Sequence, residues 1–377
     1  PRADKGTPEV SPGAEARGEF SEKPHNRQPE PKQERRVILG IERVQQLDVD
    51  LRADINEEDR RDALKVATHL SIPFTVLNFQ KEYEEKVIKY FYKEYGAGRT
   101  PNPDVMCNKE IKFKALLNAI EKLGGSKIAT GHYARVVEDE GTFHLLKGVD
   151  PNKDQTYFLN TMTQVQLSKT LFPIGHRTKQ EVRVQAKKAG LPVANKPDSQ
   201  GICFVGEVNI VSLLRQRIPE NPGPIVTSDG KVIGEHRGLP FYTIGQREGL
   251  GVGGGVPYYV AEKKPETNTL VVAYGNQDSS LYKGMVVASD VHWISGNVPP
   301  FPLNCEVSIR YRQQPQSAIV LAHNKGVIIR FHKPQRAVTP GQSAVFYKDE
   351  ECLGGAVIEE GNYPPFPSQS PRINNIS

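Results

Sequence analysis

The chain has 377 residues, of which 37% are hydrophobic and 25% charged, a composition typical of a soluble globular protein with two or three domains. Its apolar runs fall short of the roughly 18 residues that a membrane-spanning helix needs, which argues against a membrane protein. The 49 basic and 44 acidic residues leave a net charge of +5, which permits a nucleic-acid partner without requiring one.

Both ends of the chain predict flexible tails. Residues 1–35 are rich in Pro, Glu, Lys and Arg and nearly lack large apolar side chains, so they bury too little surface to offset the entropy of ordering. They contain no apolar signal-peptide segment, and their acidic residues are atypical of a mitochondrial transit peptide. The sequence therefore predicts a cytoplasmic protein rather than a mitochondrial one. Residues 362–377, rich in Pro, Ser and Asn, predict the second tail.

Residues 36–205 alternate short apolar runs with helical periodicities. The predicted strands are 36–41, 74–78 and 127–130, and the predicted helices are 59–70, 81–95 and 109–123. Such alternation is typical of βαβ units, so we predict an α/β nucleotide-binding domain with a parallel sheet. Ligands of parallel sheets bind at the carboxyl ends of the strands, which here lie after Ile41, after Asn78 and at Gly131-His132.

Beyond residue 206 the pattern changes to short β-type runs separated by Gly and Pro turns. The predicted strands are 231–233, 241–244, 258–261, 270–274, 305–311, 318–322, 327–331, 343–347 and 356–359. Regular spacing of this kind predicts small all-β modules. With a proline-rich joint at 299–302, we predict a β-rich central domain over 206–295 and a C-terminal β-barrel over 296–361.

The most informative motif is GRTPNPDVMCNK, residues 98–109. Its two prolines predict a stiff loop that ends at the start of a helix. Cys107 would then lie near a helix N-terminus, where the partial positive charge favours thiolate, and Asp104 could exchange a proton there. A buried structural cysteine beside a proline loop explains the same pattern equally well.

The second cysteine motif is KPDSQGICFVG, residues 196–206, which places Cys203 in a polar, glycine-containing loop. Thiols at Cys107 and Cys203 could meet over one cleft and cycle through a persulfide and a disulfide, although chance could also supply such a pair. Cys305 and Cys352 lie in strand-type runs and predict core positions. The chain has no Cys-x-x-Cys pair, which argues against a zinc ribbon, and four scattered cysteines do not make a disulfide scaffold.

Three further motifs carry polar or glycine-rich clusters. IATGHYAR (128–135) is a strand that runs into Gly-His, where a backbone can approach a nucleotide; a simple turn histidine is the alternative. DPNKDQTYFL (150–159) is a polar cluster before an apolar run, or merely a capped helix with a solvated turn. The 241–254 segment mixes aromatic residues, Arg and Gly, which suits contact with a nucleic-acid backbone but also fits a glycine-rich turn.

Together, TPNPDVMCNKEIKF, ATGHYAR, DPNKDQTYFL, DSQGICFVGE and FYTIGQREGLG occur in the order found in the tRNA-specific 2-thiouridylases, and the chain resembles that family over residues 54–360. The resemblance implies ATP-dependent replacement of O2 by sulfur on the wobble uridine of tRNA. It also implies an N-type ATP pyrophosphatase domain, a central β-rich module and a C-terminal β-barrel. The implied partners are tRNA, ATP with Mg, and a persulfide donor, either a sulfur-carrier protein or a cysteine desulfurase.

The resemblance also implies residue roles. Cys203 resembles the persulfide-bearing cysteine and Cys107 its nucleophilic partner, while Asp104 resembles a proton-transfer group. Gly131 resembles a glycine that contacts ATP. The loop that meets the target base and the other tRNA contacts correspond to Asn102, Pro103, Asp104, His132, Lys153, Asp154, Gln155, Arg310, Tyr311 and Gln342.

One departure from the family pattern concerns the phosphates of ATP. The family carries a Ser-Gly-Gly-x-Asp-Ser loop directly after its first strand, where backbone amides and hydroxyls bind phosphate. Here the strand continues into Glu42-Arg43-Val44-Gln45-Gln46, and no Gly, Ser or Thr follows until Thr68. The phosphate loop is therefore missing from this position. Two alternatives follow: a catalytically silent tRNA-binding remnant, or a redox protein that uses Cys107 and Cys203 without tRNA.

Overall fold

Helices and parallel strand pairs occupy the first part of the chain. The structure, a computed structural model, describes residues 41–42, 53–197, 209–253 and 255–359. The first six strands are β1 (Ile41–Glu42), β2 (Leu77–Asn78), β3 (Ile128–Ala129), β4 (Ala134–Asp139), β5 (Thr142–Lys147) and β6 (Thr170–Leu171). β1 pairs with β2 and β3 pairs with β6, both in parallel, which confirms the predicted parallel α/β class. Both predicted tails lie outside the described residues.

In the described ranges, six α-helical stretches and a 3-10 helix at Thr156–Leu159 accompany these strands. The six α-helical stretches are Ala53–His69, residues 80–96, residues 103–122, Gln164–Ser168, Lys179–Lys188 and Ile210–Arg215. The 80–96 helix contains a π-helical turn at Glu84–Ile88, and the 103–122 helix contains one at Asn108–Ala115. None of the helices in the described ranges is both long and apolar enough to span a bilayer.

The 103–122 helix begins six residues before the predicted start at residue 109. Asn102 caps it, and Pro103 is its first residue. Proline is favoured there because the first helical N–H has no partner within the helix, and its fixed φ suits the first turn. Pro103 therefore starts the helix, while Pro101 precedes its cap.

The central module is a four-stranded sheet. Its strands are β7 (Gly223–Thr227), β8 (Val232–His236), β9 (Tyr258–Lys264) and β10 (Thr269–Tyr274), in the order β8-β7-β10-β9. The strand predicted at 241–244 is wrong: a 3-10 turn at Leu239–Phe241 stands there, and Phe241 and Tyr242 are buried in the core of this module. Pro240 has no N–H to donate to a sheet, which disfavours a strand at this point.

The C-terminal module is a closed six-stranded antiparallel barrel. Its strands are β11 (Tyr282–Trp293), β12 (Leu303–Ser308), β13 (Gln316–His323), β14 (Gly326–Arg336), β15 (Ser343–Lys348) and β16 (Glu351–Ile358). The order is β11-β14-β13-β12-β15-β16, and pairing of β16 with β11 closes it. β11 was not predicted, because a bulge between Ser289 and His292, with Asp290 at a φ of 48°, interrupts its alternation. This first barrel strand precedes residue 296.

A hairpin from the α/β part joins the barrel sheet. β4 and β5 form the hairpin, and β5 pairs with β16 through Leu145 opposite Cys352 and Leu146 opposite Glu351. Cys352 is fully buried and Cys305 is partly buried against the barrel core, so Cys352 in particular has the core position expected of it. The hairpin makes the α/β part and the barrel share one continuous sheet.

Candidate functional site

The Asn102–Cys107 turn holds the first candidate residues. The Asn102 Oδ1 atom accepts hydrogen bonds from the backbone N–H groups of Asp104 and Val105, both at 3.2 Å, and so caps the 103–122 helix. Asp104 and Cys107 are three residues apart in this helix, which places them on the same side. The side chain of Asp104 is half-buried.

Cys107 is fully buried, one turn into the helix. It belongs to an apolar cluster whose other buried members are Phe79, Tyr83, Val87, Ile88 and Ile111. The thiol is therefore buried, as the alternative of a structural cysteine beside a proline loop predicted. Chemistry at Cys107 requires movement of the side chains that cover it.

Cys203 lies outside the described residues, but the chain on both sides of it is described. Upstream, the Lys196 ammonium donates to Asp59 Oδ1 at 2.9 Å and to Asp62 Oδ2 at 2.7 Å, both on the Ala53–His69 helix. These bonds lower the pKa of the Asp62 carboxyl and raise the pKa of Lys196. They anchor the chain two residues before residue 198.

Downstream of Cys203, the Ile210–Arg215 helix is anchored to the 80–96 helix. The Tyr92 hydroxyl donates to the Leu213 carbonyl at 2.8 Å, and Arg217 forms an ion pair with Glu84 at 2.9 Å. The 80–96 helix also supplies Val87 and Ile88 to the cluster around Cys107. No disulfide joins two of the described residues, and Cys305 and Cys352 carry free thiols.

Gly131 and His132 follow the carboxyl end of β3. Gly131 is exposed, and an added Cβ would meet nothing within 4 Å, so a ligand can approach this backbone closely. His132 is only 8% exposed and packs against the rings of Phe113 and Phe172, which also contact each other. Its Nδ1 atom is 2.9 Å from the Thr130 hydroxyl. The pair therefore contains one open backbone position and one buried imidazole.

Burial, and secondarily the charge of Lys112, hold the pKa of His132 well below its ordinary value of 6.5. The folded state then keeps a neutral imidazole while the unfolded state takes up a proton as the pH falls below about 6.5. We therefore expect His132 to lower the free energy of unfolding by up to about 1.4 kcal/mol per pH unit between pH 6.5 and 5. Urea denaturation of wild type and His132→Gln over that range measures the difference.

Thr130→Val is the control for this prediction, because it removes the hydroxyl next to His132 without removing the titrating group. Its loss of stability should be the same at every pH. A pH slope in His132→Gln equal to that of wild type would contradict the prediction.

The polar residues of the 150–159 motif form a turn that docks on neighbouring backbone. Asp154 accepts hydrogen bonds from the Gly148 N–H at 2.9 Å and from the Thr156 hydroxyl at 2.8 Å, and burial raises its pKa. Gln155 Oε1 accepts from the Tyr133 N–H at 2.9 Å. The turn therefore lies directly beside Gly131-His132, while the partly buried Lys153 belongs to the same turn.

Arg310 and Tyr311 lie where the barrel meets the other parts of the chain. One Arg310 nitrogen, Nη2, donates to the carbonyls of Ile244 and Ala337 at 3.1 and 2.7 Å. The Tyr311 ring packs against Phe158, with centroids 4.3 Å apart. Arg310 thus joins the central module to the barrel, and Tyr311 contacts the 150–159 motif.

Gln342 contacts the segment that leads into Asn102. Its Nε2 atom donates to the carbonyls of Thr100 and Pro101, at 2.9 and 3.2 Å. The structure therefore brings Gln342 and the Asn102–Cys107 turn together. The residues predicted as tRNA contacts gather around two regions, this turn and the contact between the 150–159 motif and the barrel.

Asn108 is a buried polar residue of the site that the sequence motifs did not predict. It is 3% exposed, its Nδ2 atom donates to the Phe158 carbonyl at 3.1 Å, and its Oδ1 atom has no hydrogen-bond partner among the described residues. It follows Cys107 directly and links the 103–122 helix to the 150–159 motif. The sequence did contain a signal for it, because a polar residue directly follows the candidate nucleophile Cys107.

Comparison with known proteins identifies all three parts of the chain. Residues 32–207 match the tRNA methyl transferase HUP domain, residues 211–274 the tRNA methyl transferase PRC-barrel domain, and residues 283–358 the aminomethyltransferase beta-barrel domain. The predicted order of an α/β nucleotide-binding domain, a β-rich module and a barrel agrees with these matches.

Three relatives named tRNA-specific 2-thiouridylase MnmA match most of the chain. The protein from Geobacillus thermodenitrificans is 51% identical over 306 residues, which cover 80% of this chain and 82% of the relative. Those from Alkaliphilus oremlandii and Lactococcus lactis subsp. cremoris are 49% and 50% identical over 80% of this chain, and 84% and 82% of their own lengths are covered. On this similarity, the chain belongs to the family of tRNA-specific 2-thiouridylases.

Proposed function

We propose that this chain catalyses 2-thiolation of the wobble uridine of tRNA, with sulfur supplied by a persulfide on Cys203. Family membership and the names of the relatives support tRNA as the substrate. The observation that carries the proposal is the Asn102–Cys107 turn, in which a capped helix start holds Asp104 and Cys107 on one side. Asn102, Pro103 and Asp104 form the surface that receives the target base.

The uridine O2 atom is a poor leaving group, and ATP supplies a better one: transfer of its adenylyl group to O2 releases pyrophosphate and leaves AMP to be displaced. Gly131 fits contact with this nucleotide, because its backbone is exposed at the end of a parallel strand. The residues after β1 do not fit its phosphates, because residues 42–53 contain no Gly, Ser or Thr. Asp104 is the proposed acceptor of the N3 proton as O2 becomes nucleophilic.

The sulfur step is proposed to use both cysteines. The terminal persulfide sulfur on Cys203 attacks C2 as AMP leaves, which links C2 to Cys203 through a sulfur–sulfur bond. The Cys107 thiolate then attacks the Cys203 sulfur, the bonding pair stays with the sulfur on C2, and a Cys107–Cys203 disulfide forms. An external thiol reduces this disulfide, and a sulfur-carrier protein or a cysteine desulfurase renews the persulfide.

The remaining predicted contacts are proposed to position tRNA on the 150–159 motif and the barrel. His132, Lys153, Asp154, Gln155, Arg310 and Tyr311 belong to this set. The hydrogen bonds of Asp154, Gln155 and Arg310 to neighbouring backbone support a role in shaping the surface as well as in contacting tRNA. Magnesium is proposed to accompany ATP.

The second candidate function is a catalytically silent tRNA-binding protein. The sequence that follows β1 favours it, since Glu42 brings negative charge where the family binds phosphate. This candidate predicts tRNA affinity that falls steeply with salt and no turnover of ATP.

A single-turnover assay separates the two functions. The full chain is mixed with α-labelled ATP, a persulfide donor and a tRNA transcript with a wobble uridine. The thiolation proposal expects one AMP released for each 2-thiouridine formed. Salt-dependent tRNA binding without either product supports the silent protein instead. A matched variant with a Ser-Gly-Gly-x-Asp-Ser loop inserted after Glu42 tests whether the missing loop is the cause, because only that variant should then release AMP.

A further inference from the structure

We propose that Lys263, Arg99 and Gln342 are positioning residues for the Asn102–Cys107 turn. They hold the junction segment, residues 98–101, to the central module and the barrel. Through this segment the two β modules affect the rate of sulfur transfer as well as the binding of tRNA. This inference rests on the proposed thiolation function.

The junction segment begins where the 80–96 helix ends. Gly98 has a φ of 77°, its N–H donates to the Tyr95 carbonyl at 2.9 Å, and the Arg99 N–H donates to the Glu94 carbonyl at 2.9 Å. This is the hydrogen-bond pattern of a helix closed by a left-handed glycine. The exit direction of the chain is therefore set by Gly98.

Lys263 of β9 ties this exit to the central module. Its ammonium donates to the Gly98 carbonyl at 2.9 Å, and the residue is only 7% exposed. Lysine is rarely buried to this degree, because its charge loses hydration. A buried lysine that donates to a backbone carbonyl of another domain indicates that it holds the two domains in a fixed relative position.

Arg99 ties the segment to the barrel. Its Nε atom donates to Glu94 at 2.7 Å, while its Nη1 and Nη2 atoms bond to the Glu359 carboxylate and the Ile358 carbonyl. Its side chain is 17% exposed, so these ion pairs are shielded from much of the screening that weakens surface pairs. The guanidinium therefore joins the 80–96 helix to the end of β16.

Thr100 and Pro101 complete the attachment. The Thr100 N–H donates to the Pro340 carbonyl at 2.9 Å, and both carbonyls of the pair accept from Gln342. Gly341 has a φ of 92°, and a Cβ there would lie 2.9 Å from the Thr100 oxygen. The barrel loop can approach this closely only because that residue is glycine.

Asn102, the cap of the 103–122 helix, directly follows the junction segment. All four residues of the segment are bonded outside it. Three of them, Arg99, Thr100 and Pro101, bond to the barrel, and Gly98 bonds to Lys263 of the central module. A shift of the β modules is therefore transmitted to the cap of the 103–122 helix and to Asp104. A misplacement of about 1 Å at a reacting group can cost about 100-fold in rate.

The kinetic test compares Lys263→Met and Glu359→Gln with Glu350→Gln. Glu350 is also a barrel carboxylate that pairs with an arginine of the α/β part, Arg135 at 3.0 Å, but it lies away from the junction segment. In single-turnover thiolation at saturating tRNA, we expect at least a ~10-fold lower rate for the first two variants, unchanged tRNA affinity, and no change in the control. Lys263→Arg, which keeps a donor, should recover part of the rate.

Weaker tRNA binding with an unchanged saturated rate would overturn the inference, because it would make these residues tRNA contacts. The same holds if Glu350→Gln slows thiolation as much as Glu359→Gln does. Glu359→Gln is the gentler change and keeps the test valid if Lys263→Met does not fold.

A second measurement does not depend on activity. Amide hydrogen exchange over residues 99–106 should be at least ~10-fold faster in Lys263→Met and Glu359→Gln than in wild type or Glu350→Gln. If wild type forms no 2-thiouridine, the proposed function fails while this measurement still decides the inference. Equal exchange in all four proteins would overturn it.

Discussion

Replacing Cys203 by serine is expected to abolish thiolation, with a loss on the order of 10³-fold or more, the scale on which removal of a nucleophile acts. A serine oxygen cannot carry a persulfide, so no sulfur reaches C2. Cys107→Ser should lose turnover to a similar extent, because no neighbouring thiolate then breaks the sulfur–sulfur bond to Cys203. The measurement is 2-thiouridine per tRNA by mass spectrometry of nucleosides.

Cys305→Ser is the matched control, since Cys305 is a partly buried thiol packed against the barrel core. It should keep most of the activity. Cys107→Ser should also accumulate tRNA joined covalently to the protein, whereas Cys203→Ser should not. Substantial thiolation by Cys203→Ser would rule out the proposed persulfide route.

Phe346→Ala is expected to destabilise the barrel by about 3–5 kcal/mol, the usual range for removing a buried aromatic ring. Phe346 is fully buried, and its ring stacks on Trp293 at 5.1 Å between centroids. Its removal leaves a cavity between β15 and β11, the two strands that carry this ring pair. The midpoint of guanidinium denaturation, followed by Trp fluorescence, measures the loss.

Val298→Ala is the control for the barrel, because Val298 is 69% exposed. Substitutions at such sites usually change stability by less than about 0.5 kcal/mol. A midpoint for Phe346→Ala close to that of Val298→Ala would show that the barrel core tolerates the cavity, contrary to the expectation.

Because the barrel holds the junction segment, Phe346→Ala should also expose the Asn102–Cys107 turn when the barrel unfolds. The bonds of Arg99 to Glu359 and of Gln342 to Thr100 exist only while the barrel is folded. Loss of the barrel and loss of the helix cap should therefore occur together in hydrogen exchange.

Local pattern was sufficient to predict the type of most elements. Alternation of apolar runs with helical periodicity predicted the parallel α/β part, and regularly spaced β-type runs predicted most strands of the two later modules. The β4–β5 hairpin, β6, β7 and the helices at 164–168, 179–188 and 210–215 were not predicted. Two other errors have local causes. Pro240 lies directly before the predicted 241–244 strand and favours the 3-10 turn found there, and the bulge at Asp290 interrupts the alternation of β11.

The motifs of the candidate site were likewise visible in the residues, since the prolines, Asp104 and Cys107 stand within a single twelve-residue segment. The burial of these side chains was not visible in the sequence. Cys107 and His132 are both residue types that occur at active sites, and the sequence does not distinguish an exposed thiol or imidazole from a buried one. Cys107 is buried by side chains of the 80–96 helix, and His132 is buried by Phe172, which directly follows β6. The local pattern does not predict these distant contacts.

Local chemistry along the chain is thus enough to establish the kinds of elements, the family motifs and the missing glycine-serine loop after β1, because each depends on neighbouring residues. The attachment of the junction segment is different. Gln342 reaches Thr100 across 242 positions and Lys263 reaches Gly98 across 165. Contacts over such separations arise only when packed modules bring their backbones within hydrogen-bonding distance, and this is why folding, rather than any motif, determines which residues hold the Asn102–Cys107 turn.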